Sequence, residues 1–496
     1  MHTIFGDEFL QKHAIAAEQL TFRQYGSDKK SDKKIVLCIS PPLEDVNLFT
    51  GIWQQNMGLL KIASYLKNRM NRKVYYIDGL NPEYQKDGGC KIKRKLLERR
   101  DIGGIRKSVY LWGYSYDEII EKIKNLPRPD KVYISVTMTH HYRAVFKIVT
   151  LIKKIYPDVP VVIGGISPTL IPGWYKKFVR KNGWKDVKVV IGDWNKGKAK
   201  LEWTDFELLR PNVPNFAMIA SSYGCPFRCS FCARERLNCK VILRRPEDVV
   251  AEMKEKYNRY GVKRFYFIDD NIAVHEKGKH FEHLLDLIIA SGMKADCEFV
   301  EGFSPHLLTE KILEKMHKAG SKRLYFGFES SDEAMIKRFH KAHKLKDLYR
   351  MRKWAWKHGF RKHDGISFYT LMAMPDQSLD SVVDSILECM KFGALPVPKE
   401  FTPIPFTAEW EKYGHLVKGK DPFDLIGDFY PFAEYNKISP MEYEKLQAFV
   451  QGLRKMQGYS FHFPKRLDLT SSGIFEKALR KGLIRKAKFR VSQKKK

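Results

Sequence analysis

Four of the chain's eight cysteines lie in one short segment, SSYGCPFRCSFCARERLNC, which spans residues 221–239. Cys225, Cys229 and Cys232 follow a C-x3-C-x2-C spacing, and Cys239 comes after a longer gap. Sulfur ligands at this density indicate a metal centre, because the chain has too few cysteines for a disulfide scaffold. Zinc would use all four sulfurs, whereas a [4Fe–4S] cluster held by three would keep one iron open for a small molecule.

The spacing favours the iron–sulfur cluster over zinc. Structural zinc usually takes its cysteines in C-x2-4-C pairs that a loop holds apart, but here all the spacings are local. We therefore predict that Cys225, Cys229 and Cys232 hold the cluster and that Cys239 is a bystander. A zinc-bearing nucleic-acid-binding protein is the alternative, because the formal net charge is +32.

The elements around the cysteines alternate between strands and helices. Apolar runs rich in β-formers predict strands at 216–222, 263–269, 296–302, 322–328, 366–373 and 398–404, with helices in most gaps. Six such units suit a six-stranded partial (β/α)6 TIM barrel better than a closed eight-stranded one. The cysteines would follow the first strand and face the mouth, where the active sites of β/α barrels lie.

CPFRCSFC resembles the signature of the radical S-adenosylmethionine (SAM) superfamily, with Phe231 at its aromatic position. The resemblance covers about 216–410 and includes the strand ends FIDDN, VEGF, FGFES and LMAMPDQS, but it departs at 374–377, where many members have a glycine-rich turn. It implies that the open iron chelates SAM and that an electron from an external flavodoxin- or ferredoxin-type reductant yields a 5′-deoxyadenosyl radical. It implies SAM contacts, with Glu329 at the ribose, from Phe231, Asp269, Asp270, Asn271, Glu301, Glu329, Ser330 and Met372.

An earlier α/β segment precedes the barrel. Strand-like runs at 34–40, 73–78, 131–136, 159–165 and 188–192 alternate with helical patterns, which predicts a doubly wound, Rossmann-like parallel sheet. Ligands of such sheets lie beyond the carboxyl ends of the strands. Residues 34–200 resemble the cobalamin-binding domain that precedes the barrel in one radical SAM class, notably in NMGLLKIASYLKNR and VVIGGISPTLIP. The residues expected at the cobalamin are Ser135, Thr137, Thr139, Gly164 and Gly165.

The sequence identifies no protein ligand for the lower face of this cobalamin. No D-x-H-x-x-G motif is present. His140 and His141 follow a strand in a different context, and we interpret them as surface or helix-start residues rather than cobalt ligands. A first domain that has lost its cofactor is therefore an alternative, which leaves a radical SAM enzyme acting on a nucleic acid, peptide or metabolite without cobalamin.

These patterns predict four parts: an extension at 1–33, a cobalamin-binding domain at 34–200, a radical SAM barrel at 201–410, and a small, mostly helical cap with a basic tail at 411–496. The predicted activity is a cobalamin-dependent C-methyltransferase that acts on an unactivated carbon. Basic residues concentrate at 91–107, at 337–363 and in the last twenty residues. They predict either solvated surfaces or an acidic substrate or partner.

The sequence also bears on where the protein works. The first residues have neither the basic nor the apolar region of a signal peptide, and no apolar run is long enough to span a bilayer. The cysteine usage fits a reducing compartment. We therefore expect a cytoplasmic protein without a membrane span.

Overall fold

The structure is a computed structural model that describes residues 33–47, 55–85, 90–237, 240–341, 344–360 and 365–456. Nearly all of the predicted N-terminal extension, the basic tail from residue 457 and Cys239 lie outside the described residues. The bystander role of Cys239 therefore stays a prediction.

The first part of the chain forms the predicted parallel sheet of five strands. The order is β10-β9-β8-β1-β3, and neighbouring strands are all parallel. β1 pairs with β3 on one side and with β8 on the other, so the order in which strands are added to the sheet changes direction at β1. The carboxyl ends of these strands form the crevice where such folds bind ligands. The bounds are β1 Ile35–Ser40, β3 Lys73–Asp78, β8 Lys131–Val136, β9 Val161–Gly165 and β10 Val187–Val189.

The basic stretch at 91–107 forms most of an antiparallel hairpin beside this sheet. Its strands are β6 (Arg94–Ile102) and β7 (Ile105–Trp112), and β7 also pairs with the short strand β2 (Leu43–Asp45). The Arg94 guanidinium lies over the rings of Tyr110 and Trp112, with 4.6 and 5.2 Å to the ring centroids. The hairpin thus keeps part of its basic surface in cation–π contacts. Another small hairpin pairs β4 (Glu83–Tyr84) with β5 (Cys90–Lys91).

The barrel strands occur as two three-stranded parallel sheets, β11-β14-β15 and β16-β17-β18. A parallel bridge between Phe303 and Phe326 joins the two sheets. A short antiparallel pair, β12 with β13, flanks the segment that carries the cysteines. The bounds are β11 Ala217–Ile219, β12 Ser222–Tyr223, β13 Ile242–Leu243, β14 Arg264–Phe267, β15 Asp296–Phe299, β16 Leu324–Glu329, β17 Ile366–Met372 and β18 Leu395–Glu400.

The last barrel strand starts earlier than the sequence suggests. We predicted 398–404, whereas β18 spans Leu395–Glu400. The preceding helix ends at Gly393, whose φ of 89° closes the helix in the left-handed conformation, and the strand begins almost at once. Pro396 and Pro398 are tolerated because β18 is the edge of its sheet and needs hydrogen bonds on one side only.

The helices cover the two faces of the first sheet and the outside of the barrel, and the largest apolar core lies between the barrel strands and their helices. The described α-helices are Met57–Asn68, Tyr116–Lys124, Tyr142–Ile155, Ile166–Leu170, Pro172–Lys181, Arg234–Leu237, Pro246–Tyr260, Lys279–Ala290, Glu310–Lys318, Glu333–Arg338, Leu345–Lys357, Leu379–Phe392, Ala408–Tyr413, Ala433–Asn436 and Pro440–Met456. The predicted helical character of the part after residue 411 is visible in the last of these and in several short 3-10 turns.

A buried charge network ties the first sheet to the barrel. Arg244 donates to Glu252 at 2.7 Å and to the Ala220 carbonyl at 2.9 Å. Burial alone would raise the pKa of Glu252, but Arg244 and then Lys61 and Lys256 hold it at about 2. Lys61, from the helix Met57–Asn68, donates to the carbonyl of Glu202 at 2.6 Å. The network therefore links the helix Met57–Asn68 beside the first sheet to the helix Pro246–Tyr260 of the barrel.

Replacing Arg244 with methionine is expected to lower the free energy of unfolding by about 3–5 kcal/mol, because it leaves Glu252 buried without its main cation. The pKa of Glu252 is depressed from 4.5, so the stabilisation is complete above about pH 4.5 and is lost as the pH falls toward 2. Urea unfolding at pH 7 measures the effect. Lys318→Met, which removes the exposed Lys318–Glu314 pair, should leave the midpoint unchanged; equal midpoints for both variants would contradict the prediction.

Candidate active site

The cysteine segment lies between β12 and β13, so both of its ends are fixed by backbone pairing. Gly224 precedes the first cysteine with a φ of 93°, and a Cβ there would lie 2.9 Å from the carbonyl oxygen of Lys240. Only glycine allows this close approach of the two ends. As predicted, the cysteines follow the first barrel strands, at the carboxyl ends of the parallel sheet.

Asp270, which follows β14, anchors the segment from the side. Its carboxylate accepts a hydrogen bond from the Gly224 N–H at 2.7 Å and pairs with the Arg234 guanidinium at 2.6 Å. Gly224 and Arg234 lie on either side of the three cysteines. One buried carboxylate therefore holds both ends of the cysteine loop, which we define as residues 224–234.

Asp270→Ala is expected to reduce severalfold the iron retained per chain after anaerobic reconstitution. The substitution removes two charge-assisted hydrogen bonds, each about 1.5–3 kcal/mol, from the loop that presents the sulfurs. Iron and sulfide analysis after gel filtration measures the loss. Asp286→Ala, which removes an acid that pairs with Lys315 on an outer helix, is the control and should retain wild-type iron. Unchanged iron in Asp270→Ala would show that the anchor is dispensable.

Asp269, the neighbour of Asp270, faces inward and is already satisfied by protein donors. Its Oδ1 accepts from the hydroxyls of Ser221 and Ser222 at 2.6 Å each, and the Ser221 N–H lies 3.1 Å from both carboxylate oxygens. Burial raises the pKa of Asp269 to about 6 against these hydrogen bonds. Its side chain thus joins the ends of β11 and β14 and leaves little capacity for a ligand.

The three thiols are partly exposed and close enough to influence one another electrostatically. Burial raises the pKa of the Cys225 thiol to about 12 and also raises the pKa of Cys229 and Cys232. Two cations oppose this effect: Lys341 acts on Cys229 and Cys232, and Arg234 acts on Cys232. The site thus combines three sulfur ligands with positive charge that suits an anionic cluster of iron and thiolates.

Glu329 lies at the end of β16. Its backbone φ is 62°, a left-handed value that residues other than glycine rarely adopt. Its carboxylate is buried and pairs with the Lys341 ammonium at 2.9 Å. Gly327 makes room for this pair, because a Cβ there would lie 2.8 Å from Glu329 Oε1 and 2.9 Å from Lys341 Nζ. A strained, buried, paired acid at a strand end is typical of a ligand-binding position.

Phe231, at the aromatic position of the signature, contacts Phe339 and the Lys341 ammonium. The Phe231 ring packs edge-on against Phe339 with centroids 5.3 Å apart, and the Lys341 ammonium lies 5.7 Å from its centroid. His340 Nδ1 bonds the carbonyl of Arg228 at 2.9 Å. The segment after β16 therefore packs on the cysteine loop and places Lys341 between Glu329 and the sulfurs.

The remaining predicted SAM residues take different positions. Glu301 lies near Arg234 and Asp270, and burial raises its pKa to about 7, with Arg234 opposing the shift. Asn271 donates to the Ser304 hydroxyl at 3.2 Å, and its amide oxygen is buried and unpaired among the described residues. Ser330 bonds Ser385 and the Asp332 N–H. The Met372 side chain packs in an apolar core with Val382 and Val383.

Sequence reasoning missed Arg234 and Lys341. Arg234 follows the last cluster cysteine by two residues, which was an available signal. Lys341 belongs to the basic stretch 337–363, for which we predicted either a solvated surface or an acidic substrate or partner; the structure instead pairs Lys341 with Glu329 and places His340 against the cysteine loop. Only the tertiary fold brings Lys341 to the sulfurs.

The first domain has a cavity beyond the carboxyl ends of its strands, and three of the five predicted cobalamin residues line it: Ser135, Gly164 and Gly165. Thr137 and Thr139 lie outside this lining, and Thr139 is buried in the 3-10 turn after β8. Lining residues that the sequence did not reveal include Met57, Thr169, Gly192 and Trp194. Tyr223 and Leu237, from the two ends of the cysteine segment, complete the wall, so the cavity borders the cysteine loop.

Our interpretation of His140 and His141 as surface or helix-start residues was wrong in part. Both begin a helical segment, but they are buried, with 6% and 5% of their surface exposed. Their Nε2 atoms lie 3.3 and 2.8 Å from Asp45 Oδ2. The sequence did not reveal this because Asp45 is far from them along the chain.

The fold and site together define an α/β protein in which a five-stranded parallel sheet precedes further parallel strands that carry a loop of three cysteines. Residues 219–389 match the family model of the radical SAM superfamily, and residues 96–192 match that of the B12 binding domain. The chain therefore combines a radical SAM domain with a preceding B12-binding domain, which confirms the predicted fold class. The cofactors of these domains are a [4Fe–4S] cluster with SAM and a cobalamin, and radical SAM enzymes in general take their electron from an external reductant.

Known proteins share this arrangement. The chain is 22% identical over 425 residues to an uncharacterized methyltransferase of Pyrococcus horikoshii, which covers 76% of this chain and 82% of the relative. It is 24% identical to the anaerobic magnesium-protoporphyrin IX monomethyl ester cyclase of Rubrivivax gelatinosus, over 45% of this chain and less than half (47%) of the relative. The radical SAM methyltransferase TsrM from Kitasatospora setae has the same fold, with a TM-score of 0.57, 14% identity and coverage of 78% and 77% of the two chains.

The residues present fit both an iron–sulfur cluster and a cobalamin. Three thiols lie with two cations at the mouth, and Gly164 leaves the backbone of β9 open to a bulky ligand. The chain is thus an enzyme of the cobalamin-dependent radical SAM type, similar to methyltransferases of that type. Among the described residues, no helix is both long and apolar enough to cross a membrane.

Proposed function

We propose that the enzyme reductively cleaves SAM to a 5′-deoxyadenosyl radical and methylates an unactivated carbon of its substrate. The observation that carries this proposal is the shared wall between the two sites: Tyr223 and Leu237, at the ends of the cysteine segment, also line the cavity of the first domain. A cobalamin in that cavity would supply a carrier for the methyl group. The protein's contribution is to hold the radical source, substrate and carrier close together and away from water.

We assign the following roles at the mouth. Cys225, Cys229 and Cys232 ligate the cluster, and Lys341 and Arg234 offset its negative charge. Glu329, held by Lys341, receives the hydroxyls of the SAM ribose, and Glu301 and Asn271 border the same space. Asp269, Asp270 and Ser330 act as positioning residues, because their acceptors are already engaged with the ends of the barrel strands and the cysteine loop.

A ring-forming reaction is the second candidate. The similarity to a relative named a cyclase favours it, since one radical abstraction can precede either methyl transfer or ring closure. Both candidates need the same cluster, and they differ in whether the methyl group of SAM reaches the product.

Anaerobic reconstitution tests the proposal. The chain is loaded with iron and sulfide, mixed with cobalamin, SAM carrying a labelled methyl group and a chemical reductant, and assayed for 5′-deoxyadenosine and bound cobalamin. We expect 5′-deoxyadenosine and about one cobalamin per chain by absorbance. Formation of 5′-deoxyadenosine without cobalamin binding would refute the methyl-transfer proposal while leaving radical chemistry in place. With substrate present, label that stays out of the product would favour ring formation.

The same features support proposals about the electron donor, the compartment and the partners of the enzyme. We propose that the electron comes from a flavodoxin- or ferredoxin-type protein and that the enzyme works in the cytoplasm, where free thiols persist and reductants are available. We also propose that the hairpin β6–β7 and the surface after residue 337 attract an acidic substrate or partner. The domain boundaries at 33/34, 200/201 and 410/411 remain our proposal for dividing the chain.

A further inference from the structure

Asp45, His140 and His141 form a buried cluster that the proposed function does not use. The three residues have exposures of only 5–7%, and one ligand atom from each lies within 4.8 Å of the other two. The two imidazole rings cross at 73° with centroids 4.3 Å apart, so both present a nitrogen to the same carboxylate oxygen. None of the three lines the cavity next to the cysteine loop.

The distances in this cluster match the edges of a metal coordination shell. Zinc lies about 2.0–2.2 Å from imidazole nitrogen and carboxylate oxygen, so ligands roughly 90–110° apart lie roughly 2.8–3.5 Å from each other. The observed separations between Asp45 Oδ2 and the two Nε2 atoms, 3.3 and 2.8 Å, fall in this range. Two imidazoles and one carboxylate are also a ligand set that zinc and ferrous iron accept.

The ligand atoms are held in place by the surrounding backbone. Asp45 Oδ1 accepts the Val46 N–H at 2.7 Å, which turns Oδ2 toward the histidines. The Trp112 indole N–H donates to the Asp45 carbonyl at 3.1 Å, and a 3-10 turn, Thr139–His141, fixes the two rings side by side. Such outer contacts are what orients metal ligands in proteins.

The charges around the cluster call for a cation. Asp428 is half-buried, interacts electrostatically with Asp45 and is hydrogen-bonded by Asn47 at 2.8 Å. Lys107 is the cation that acts on Asp428, and it also pairs with Glu444. Asp45 and Glu444 both act on Asp428 against this single lysine where the first domain meets the segment 421–429. Of these acids Asp45 is the buried one, and because a buried carboxylate without enough positive charge is costly, a divalent ion would offset its charge.

We infer that Asp45, His140 and His141 bind one divalent transition-metal ion of the zinc type, separate from the iron–sulfur cluster and the cobalamin. The remaining coordination positions take water or another oxygen ligand. The ion links β2 and the turn after β8 at their contact with the C-terminal segment. This inference does not depend on the proposed methyl transfer.

Metal analysis of the full chain, purified without oxygen and reconstituted with cluster, tests the inference. We expect about one zinc per chain after incubation with zinc chloride and removal of the excess by gel filtration. Asp45→Asn and His141→Ala should each lose it while retaining wild-type cluster iron. His283→Ala, which removes an exposed histidine paired with Glu247, is the matched control and should keep the zinc. Zinc at the same level in all four proteins would overturn the inference.

X-ray absorption at the zinc edge of the wild-type protein gives a second readout that needs no variant. A shell of nitrogen and oxygen at about 2.0–2.2 Å with imidazole scattering supports the site. A shell of sulfur at about 2.3 Å would place the zinc on the cysteines and overturn the inference. The inference would equally fail if the protein bound no zinc, or if magnetic resonance of the bound cobalamin showed a histidine nitrogen on cobalt that is lost in His141→Ala.

Discussion

Replacing Cys229 with alanine is expected to abolish 5′-deoxyadenosine formation and to strip most of the cluster iron from the chain. Cys229 is the central one of the three thiols and lies nearest in the chain to both others. Two thiolates hold a [4Fe–4S] cluster poorly, and without the cluster no electron reaches SAM. The measurement is 5′-deoxyadenosine by chromatography, together with iron and sulfide per chain after anaerobic reconstitution. We expect product at the level of the uncatalysed control.

Two cysteine variants serve as controls for this experiment. Cys239→Ala removes the other thiol of the same segment, and Cys389→Ser removes a thiol in the buried core of an outer helix. Cys239→Ala should keep both cluster and cleavage, whereas Cys389→Ser should change stability but not the iron per folded chain. If Cys239→Ala lost the cluster while Cys229→Ala kept it, the assignment of the three ligands would be wrong.

Replacing Gly164 with leucine is expected to weaken cobalamin binding by roughly ten- to a hundredfold, or 1–3 kcal/mol of steric overlap. Gly164 lines the cavity at the end of β9, and a Cβ there meets only Val190, at 3.9 Å. The added side chain therefore has room within the fold and fills the space meant for the ligand. Titration of the reconstituted protein with cobalamin, followed by absorbance, measures the change.

The matched control for this variant is Gly173→Leu. Gly173 is an exposed glycine in the first turn of the helix Pro172–Lys181, and a Cβ there meets nothing within 4 Å. We expect wild-type cobalamin affinity for Gly173→Leu and wild-type SAM cleavage without substrate for both variants. Equal affinity of Gly164→Leu and wild type would move the cobalamin away from this cavity.

Much of the fold could be predicted because its strands and helices follow from local sequence patterns. The strands β1, β3 and β8 coincide with runs of β-formers that stand out from the helical spacing around them. Boundaries were less accurate where a cap decides them, as at Gly393 before β18. The hairpin β6–β7 could not be assigned from its charges, because its pairing and its cation–π contacts depend on neighbours that composition does not reveal.

The sequence by itself determined the chemistry that the three cysteines can do, because ligand type and spacing are local properties of one loop. It also determined the two α/β parts, since alternation of strands and helices is periodic along the chain. Only the tertiary structure decided which charges from outside the cysteine loop reach the sulfurs. Lys341 reaches Glu329 and the cysteine loop through folding of the segment after β16, and Asp45 meets His140 and His141 across nearly a hundred residues. Such pairs are set by the packing of distant segments, which no local pattern encodes.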